Sequence, residues 1–416
     1  MDYGCIGEKL SHSFSKEIHN ALTDYDYQLL ELKREELKAF FTERSFKAIN
    51  VTIPYKLDVI PYLDWISDEA RAINAVNTIV NRNGKLYGYN TDFYGLKGLI
   101  ERKIKSFKGK TVAILGSGGT SNTAFAVANS LDAENVVKVS RKKQEGYITY
   151  DELYESYSNC EIIINTTPCG MYPKAGVSAV DINRFPCVEA VFDAVYNPLK
   201  SKLILDAEKK GIISDGGLYM LVSQAAYAVE KFIDTSVSLE KIEEVFKKIY
   251  KDKMNVVLIG MPASGKSSVG KELEKMLSKT FVDSDTVLSE NAEKTIPEIF
   301  NEHGEAYFRE LEKDTIKNIS SENSHIIATG GGAVLNCENI ENLKSNGRIY
   351  FLDRPLSMLL TTDDRPLSSN RADLEKRYNE RYELYRKYAD VIVDGSGCIN
   401  EVAKRIEADF NGYSCN

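Results

Sequence analysis

Asn255-Val256-Val257-Leu258-Ile259 runs directly into Gly260-Met261-Pro262-Ala263-Ser264-Gly265-Lys266-Ser267. A short, largely apolar run bounded by glycine reads as a buried strand. The apolar residues Val269, Leu273, Met276 and Leu277 that follow recur at helical spacing. A strand that turns through Gly-x-x-x-x-Gly-Lys-Ser into a helix is a phosphate loop. Its backbone amides cradle phosphates, the lysine reaches the β and γ oxygens, and the hydroxyl after it ligates magnesium. Gly260, Ala263, Ser264, Gly265, Lys266, Ser267 and Ser268 are therefore expected to form an ATP site, with Ser267 on Mg.

The same plan occurs once more, nearer the start. Thr111-Val112-Ala113-Ile114-Leu115 leads into Gly116-Ser117-Gly118-Gly119-Thr120. A turn of this kind lets the backbone approach a pyrophosphate at a helix N-terminus. Ser121 stands in place of the third glycine of the strict dinucleotide fingerprint. The next strand, 135–139, ends in Ser140-Arg141-Lys142-Lys143. Folds that prefer NAD usually place a carboxylate there, whereas basic residues accept the 2′-phosphate of NADP. Arg141 is expected to make that contact, with Lys142 or Lys143 assisting. A solvated basic turn is the competing reading.

Two phosphate loops on separate strand–turn–helix units imply two α/β nucleotide-binding domains. Between them, Leu239, Ile242, Phe246 and Ile249 form one helical stripe. That helix is expected to close the first domain, with the joint at 252–254. The expected division is 1–252, comprising a substrate domain (about 1–95 and 220–252) and a Rossmann domain (about 96–219), followed by a P-loop domain at 254–416 with a parallel sheet. A fragment covering 254–416 is expected to be complete by itself.

Composition narrows the function. The 416 residues are 43% hydrophobic and 27% charged, as in an ordinary soluble globular protein, and the net charge of −8 argues against a general nucleic-acid binder. Apolar runs such as 112–115 and 162–164 are far too short to span a membrane. Glu8, Lys9 and His12 interrupt any signal-peptide core, and seven cysteines cannot all pair, so a cytosolic setting is expected. Four histidines show no zinc-site spacing.

The first half carries an ordered series: Ser11-His12-Ser13-Phe14-Ser15, Asn50 to Lys56, Asn74 to Thr78, Asn90-Thr91-Asp92, Asn165 to Pro168, Tyr196 to Leu199 and Met220 to Gln224. Over about residues 1–250 it resembles the shikimate dehydrogenase family. The chemistry is consistent with that family. Reducing a ketone builds negative charge on oxygen and requires a proton, which a protonated lysine such as Lys56 can donate. Asp92 can hold Lys56 and a substrate hydroxyl. The resemblance implies that Ser13 and Ser15 hold a carboxylate. It places Thr52, Asn77, Asp92, Tyr196 and Gln224 around the substrate and Gly217 beside the nicotinamide. Singly, the bland readings compete: Ser13 or Ser15 as helix caps, Asn77 or Asn90 as turn residues, Lys56 and Asp92 as a surface ion pair. Lys16, where the family commonly has proline, and the short stretch 141–150, without the usual helix, depart from the pattern.

Over about 254–412 the chain resembles the shikimate kinase family, through Asp283-Ser284-Asp285, Gly304 to Arg309, Gly330-Gly331-Gly332, Asp364 to Leu367 and Arg381 to Tyr385. This implies that Asp283 helps hold the metal and Asp285 deprotonates the acceptor hydroxyl. Arg309 and Arg381 clamp the carboxylate of the acid, Gly331 touches it through the backbone, and Arg365 neutralises the transferring phosphoryl. The bland readings are an N-cap for Asp285, helix-surface ion pairs for Arg309 and Arg381, and a plain turn for the glycines. The lid, Pro355 to Arg365, is about four residues shorter than usual, and Thr361 stands where an arginine often covers adenine.

The two resemblances imply consecutive reactions, reduction of 3-dehydroshikimate by NADPH and phosphorylation of shikimate by Mg-ATP. The partners would be these small-molecule substrates, with no nucleic acid or membrane, and the oligomeric state is not specified by the sequence. The alternatives are a quinate-type dehydrogenase fused to another small-metabolite kinase, and a protein that senses nucleotides without turnover. The basic turn makes a direct forecast. NADPH should be strongly preferred to NADH, and Arg141→Ala should narrow that preference through the KM for cofactor. Equal use of both cofactors by the unaltered chain would refute it.

Overall fold

The structure, a computed structural model, describes residues 1–10, 13–359 and 371–413. Ser11 and His12 lie outside these residues, as do Thr361, Asp364, Arg365, Pro366 and Leu367 of the lid. The chain separates into two compact units, Met1–Ile249 and Tyr250–Asn416.

The first unit contains two sheets. Strands β1 (Tyr3–Gly7), β2 (Tyr27–Glu31), β3 (Ala48–Val51), β4 (Trp65–Ile66), β5 (Thr78–Arg82) and β6 (Lys85–Tyr89) lie in the order β2-β1-β3-β5-β6-β4. β1 is parallel to both neighbours, whereas β3, β5 and β6 alternate in direction. The second sheet, β7 (Thr111–Leu115), β8 (Asn135–Val139), β9 (Ile162–Asn165), β10 (Ala190–Asp193) and β11 (Ile213–Asp215), has the order β11-β10-β9-β7-β8 and is parallel throughout. Its strands are apolar without alternation because helices cover both faces: Val112, Ala113, Ile114, Leu115, Ile162, Ile163 and Ile164 are all buried. The chain order reverses between β7 and β9, and ligands of such sheets bind where the order switches.

Helices Asp92–Glu101 and Leu218–Ile233 pack closely against each other inside this unit. Gly95 allows it, since a Cβ there would stand 2.6 Å from the Met220 carbonyl oxygen and 2.8 Å from Gln224 Cβ. This contact brings the start of one helix, at Asp92, beside Gln224 on the other.

The second unit is one parallel sheet, β12 (Asn255–Ile259), β13 (Thr280–Asp283), β14 (His325–Ala328), β15 (Gly347–Asp353) and β16 (Val391–Asp394), ordered β13-β14-β12-β15-β16. Each of the three architectures expected from the sequence is present.

The joint differs from expectation. Helix Leu239–Lys253 buries Ile242, Val245, Phe246 and Ile249, while Leu239 is exposed. The apolar stripe ends at Ile249, where the units divide. Beyond it, the carbonyls of Lys251 and Asp252 accept hydrogen bonds from Lys279 Nζ, both at 3.0 Å, and Lys251 Nζ donates to the Asn411 carbonyl at 2.5 Å. Helix C-termini leave carbonyls unpaired and favour a cation, so the last turn is held by the second unit's lysine. Lys279 is only 9% exposed, and burial pushes its ammonium down to about 8.

All six cysteines among the described residues are free. No helix among these residues is long and apolar enough to cross a membrane.

A cut before Met254 therefore removes both acceptors of a buried ammonium. A 250–416 fragment should unfold in urea at higher concentration than 254–416, the gap corresponding to about 1–3 kcal/mol. Lys279→Met should rescue the shorter fragment. Equal midpoints for the two fragments would contradict this role for the last turn.

Candidate active sites

In the first unit, the carboxyl ends of β1 and β3 meet the start of helix Asp92–Glu101. Asp92 opens that helix, where a carboxylate is favoured by the unpaired amides. Lys56 Nζ donates to Asp92 Oδ2 at 2.5 Å, with side chains only 20% and 10% exposed. That burial excludes a solvated surface pair. A desolvated lysine held by a carboxylate can present a proton to a substrate oxygen while Asp92 retains an acceptor.

Beside it runs a buried polar network. Asn77 Oδ1 accepts from the Thr91 amide (2.7 Å) and Thr78 Oγ1 (3.0 Å), and Asn77 Nδ2 donates to Thr91 Oγ1 (3.1 Å). Thr91 Oγ1 also lies 3.3 Å from Gln224 Oε1, and Gln224 Nε2 donates to the Leu221 carbonyl. Asn50 supports the set from behind, donating to Thr78 Oγ1 and accepting from Tyr27. Asn77 is thus the centre of this buried network rather than a turn residue. Asn90 is a turn residue, accepting from the Phe93 amide and donating to the Ala75 carbonyl.

Ser13 and Ser15 form a second group. Ser13 Oγ accepts from the amide of Ser15, the first residue of helix Ser15–Leu22 (3.3 Å), and lies 3.1 Å from Ser15 Oγ. Phe14 between them meets the Tyr196 ring edge-on at 5.3 Å. Burial raises the Tyr196 phenol above its ordinary range, so it stays a neutral hydrogen-bonding group. Thr52 follows β3, and its methyl faces Gly7 at the end of β1. Gly217 opens helix Leu218–Ile233, pressed so closely on the Ala194 carbonyl that no side chain fits.

The cofactor loop lies at the reversal between β7 and β9. Gly116 has φ +121, and a Cβ there would strike Thr166 Oγ1 at 2.6 Å. Space in front of Gly118 and Gly119 is open, as a pyrophosphate requires, and the helix Gly119–Ser130 begins there with Thr120 in its first turn. Ser121 is fully buried. Residues 141–149 form no helix. They turn back so that Ile148 bridges Val139. Lys143 is tied to Glu152 at 2.5 Å, whereas Arg141 and Lys142 are exposed and form no ion pair among the described residues. These two are the cations available to a 2′-phosphate.

In the second unit, the phosphate loop leaves β12 with Gly260 at φ +149 and Gly265 at φ +93. Lys266 is buried, its Nζ donating to the Gly260 and Met261 carbonyls at 2.9 and 2.8 Å. Ser267 Oγ donates to Asp283 Oδ2 at 2.6 Å. Asp283, at the end of β13, also accepts from the Asp285 and Thr286 amides. The N-cap is thus Asp283, and Asp285 is left to face the turn after β14. A hydroxyl and one carboxylate suit magnesium, which takes its remaining oxygens from phosphate and water.

Three glycines after β14 make the opposite wall, each packed closely against a neighbour. A Cβ on Gly330 would stand 2.6 Å from Asp285 Oδ1 and 3.1 Å from Glu312 Oε1. One on Gly331 would stand 2.7 Å from Pro262, and one on Gly332 would overlap the Arg309 guanidinium. Gly304, at φ +79, breaks the helical run Ile296–Ser321 and starts the segment that carries Arg309. Arg309 donates to Glu312 (2.8 Å) and to Glu305 (2.9 Å). Arg381 is only 6% exposed, so it is no solvated helix face. Its Nη1 donates to the Gly331 carbonyl, which also accepts from Tyr385 Oη. Arg365 lies outside the described residues.

Glu312 and Tyr385 were not foreseen as site residues. Glu312 lies three positions after Arg309, a spacing that faces the two together on a helix. Burial, reinforced by Asp285, holds its carboxyl above the ordinary range even beside Arg309.

A dinucleotide fold with a lysine–carboxylate pair largely withdrawn from solvent defines an oxidoreductase unit, and a phosphate loop beside one buried and one half-buried arginine, Arg381 and Arg309, defines a phosphotransferase unit. Comparisons with known proteins agree. Residues 5–79 match the family model "Shikimate dehydrogenase substrate binding domain", and residues 262–410 match "Shikimate kinase". An NADP(+) shikimate dehydrogenase of Clostridium perfringens is 37% identical over 268 residues, spanning 59% of this chain and 97% of its own length. The crystal structure of shikimate dehydrogenase 1 from Peptoclostridium difficile aligns with a TM-score of 0.55 at 34% identity, covering 60% of this chain and 98% of that one. A chorismate mutase/shikimate 5-dehydrogenase fusion from Clostridium acetobutylicum aligns at 0.56 with 36% identity, covering 59% and 96%. The chain belongs to the shikimate dehydrogenase family, and its second unit is a shikimate kinase domain joined to it.

Glu305 is exposed and Glu312 is not, which separates their contributions to Arg309. Glu312→Ala should raise the kinase KM for shikimate roughly tenfold, about 1.4 kcal/mol, while Glu305→Ala should change it less than about twofold, as expected of an exposed pair. Since Glu312 takes up a proton more readily than an ordinary glutamate, the same KM should rise as pH falls. Equal effects of the two substitutions would contradict the assignment.

Proposed function

We propose that this chain reduces 3-dehydroshikimate to shikimate with NADPH in its first unit and phosphorylates shikimate at the 3-hydroxyl with Mg-ATP in its second. The observation that carries the reading is the pairing of Lys56–Asp92 in one unit with Asp285, Arg309 and Arg381 around one glycine turn in the other. Each is a device for a hydroxylated carboxylic acid beside its own nucleotide loop. A cytosolic setting, where both nucleotides are supplied, belongs to the same reading.

In the first unit, Ser13 and Ser15 bind the substrate carboxylate, with Tyr196 closing over them. Thr52, Asn77 and Gln224 hold the ring hydroxyls, their amides already oriented by Thr91 and Thr78. Gly116, Ser117, Gly118, Gly119 and Thr120 receive the pyrophosphate, Arg141 and Lys142 the 2′-phosphate, and Gly217 lies at the nicotinamide. NADPH supplies the hydride when bound. Lys56 gives its proton to the ketone oxygen as charge develops there, and Asp92 keeps the ammonium aimed and accepts a hydrogen bond from a neighbouring hydroxyl.

In the second unit, Arg309 and Arg381 bind the carboxylate of shikimate, each fork suited to two oxygens. The Gly331 backbone backs the ring. Asp285 accepts the proton of the 3-hydroxyl as its oxygen attacks the γ-phosphorus. Ser267 and Asp283 would hold magnesium, which would neutralise the triphosphate, and Lys266, resting on the Gly260 and Met261 carbonyls, would meet the phosphates from within the same loop. Arg365, outside the described residues, would neutralise charge on the transferring phosphoryl group, the role its resemblance implies.

The two units are tested by reciprocal loss. Lys56→Ala should lower reductase turnover about 10²–10⁴-fold, the usual worth of a positioned acid, and leave the kinase intact. Asp285→Asn should do the converse. Near-normal ketone reduction by the first variant, or near-normal phosphorylation by the second, would remove the residue from its role.

A further inference from the structure

β15 is hydrogen-bonded between β12, which feeds the phosphate loop, and β16. Its last residue, Asp353, is paired in register with Asp394, so Arg354 is the first residue past the carboxyl end of the strand next to the loop. Ligands of parallel sheets gather at that end. A Cβ built on Gly265 would lie 3.6 Å from Arg354 Nη1, and one on Gly395 would lie 3.4 Å from Arg354 Cβ. The side chain therefore runs from beside the turn that follows β16, where its Cβ lies, to the phosphate loop, which its guanidinium reaches.

Arg354 differs from the other cations of this unit's site. Lys266 rests on two carbonyls, Arg309 on two carboxylates and Arg381 on the Gly331 carbonyl. Arg354 is half-buried, its Nε is shut off from solvent without a hydrogen-bond partner, and its guanidinium forms no ion pair or hydrogen bond among the described residues. Withdrawing a charged group from water without a partner is costly. An anion arriving at the loop would supply one.

We propose that Arg354 is a nucleotide-binding residue of the kinase unit, its fork receiving a phosphate of the triphosphate held by Gly260 to Ser267. A guanidinium meets phosphate oxygens with parallel hydrogen bonds, and it is held here by a strand end rather than by the lid. This places a fixed cation at the phosphate loop from the sheet itself. The inference rests on the kinase reading above. A native chain that does not phosphorylate shikimate would end that reading, whereas the variants below test Arg354 alone.

The full chain is assayed with Arg354→Met and Arg354→Lys, measuring KM for ATP, KM for shikimate, and inhibition by inorganic tripolyphosphate, a ligand with phosphates but no base. Arg354→Met should raise the KM for ATP about 10–100-fold, the range of one charge-assisted hydrogen-bonding pair. It should weaken tripolyphosphate inhibition in parallel, with the KM for shikimate and reductase activity unchanged. Arg354→Lys should recover part of the loss. An ATP KM within about twofold of native would overturn the proposal. So would a raised ATP KM with tripolyphosphate inhibition unchanged, because the contact would then be to the base or sugar. Should Arg354→Met fail to fold, Arg354→Gln, which keeps most of the length and removes the charge, is read in the same way.

Discussion

The nucleotides and acids that these two units take are anions, while the chain carries a net charge of −8, so their sites rest on a few cations locked in place by buried partners. Lys56 is held by Asp92, Arg309 by Glu312, Arg381 by a glycine carbonyl and Lys266 by two carbonyls of its own loop. Each partner is itself fixed by the fold: Asp92 at a helix start, Glu312 inside a helix packed beneath the glycine turn, the carbonyls at the end of a buried strand. The sheets thus matter less as containers than as rulers. Their carboxyl ends set where a cation must stand, and close-packed glycines such as Gly95, Gly331 and Gly332 set how near its neighbours can come.

Much of this was readable from sequence because the motifs encode backbone constraints. A phosphate loop needs glycine at fixed places, and Gly260 and Gly265 do adopt positive φ. Apolar strands without alternation announced parallel sheets, and β7, β9 and β12 are buried on both faces. Residues whose role depends on a partner distant in sequence were harder to read. Arg381, 50 positions after the Gly331 carbonyl it binds, had a solvated helix face as its rival until its burial was known. In Asp283-Ser284-Asp285 the spacing alone does not say which acid caps the helix, and the bonds to the Asp285 and Thr286 amides assign that task to Asp283.

The joint between the units illustrates the same limit. The apolar stripe of helix Leu239–Lys253 runs only to Ile249 and leaves the last turn unassigned. What divides it is polar, a single ammonium on Lys279 that collects the last carbonyls. Glu312 escaped notice for a related reason, since a glutamate three residues from an arginine is ordinary on any exposed helix and only burial makes it part of a site. Arg354 shows the converse case, a cation that stands out by having no partner among the described residues.

The central claim is that the two units act in turn on one molecule, the oxygen protonated through Lys56 becoming the oxygen phosphorylated beside Asp285. It is tested most directly by supplying the full chain with 3-dehydroshikimate, NADPH carrying deuterium at both C4 positions of the nicotinamide, and ATP with an ¹⁸O-labelled γ-phosphate, then weighing the product by mass spectrometry. The account predicts shikimate 3-phosphate in which a single molecule carries both the deuterium and the labelled phosphate. Deuterated shikimate without phosphate, or no deuterium transfer at all, from a chain shown to be folded would contradict it.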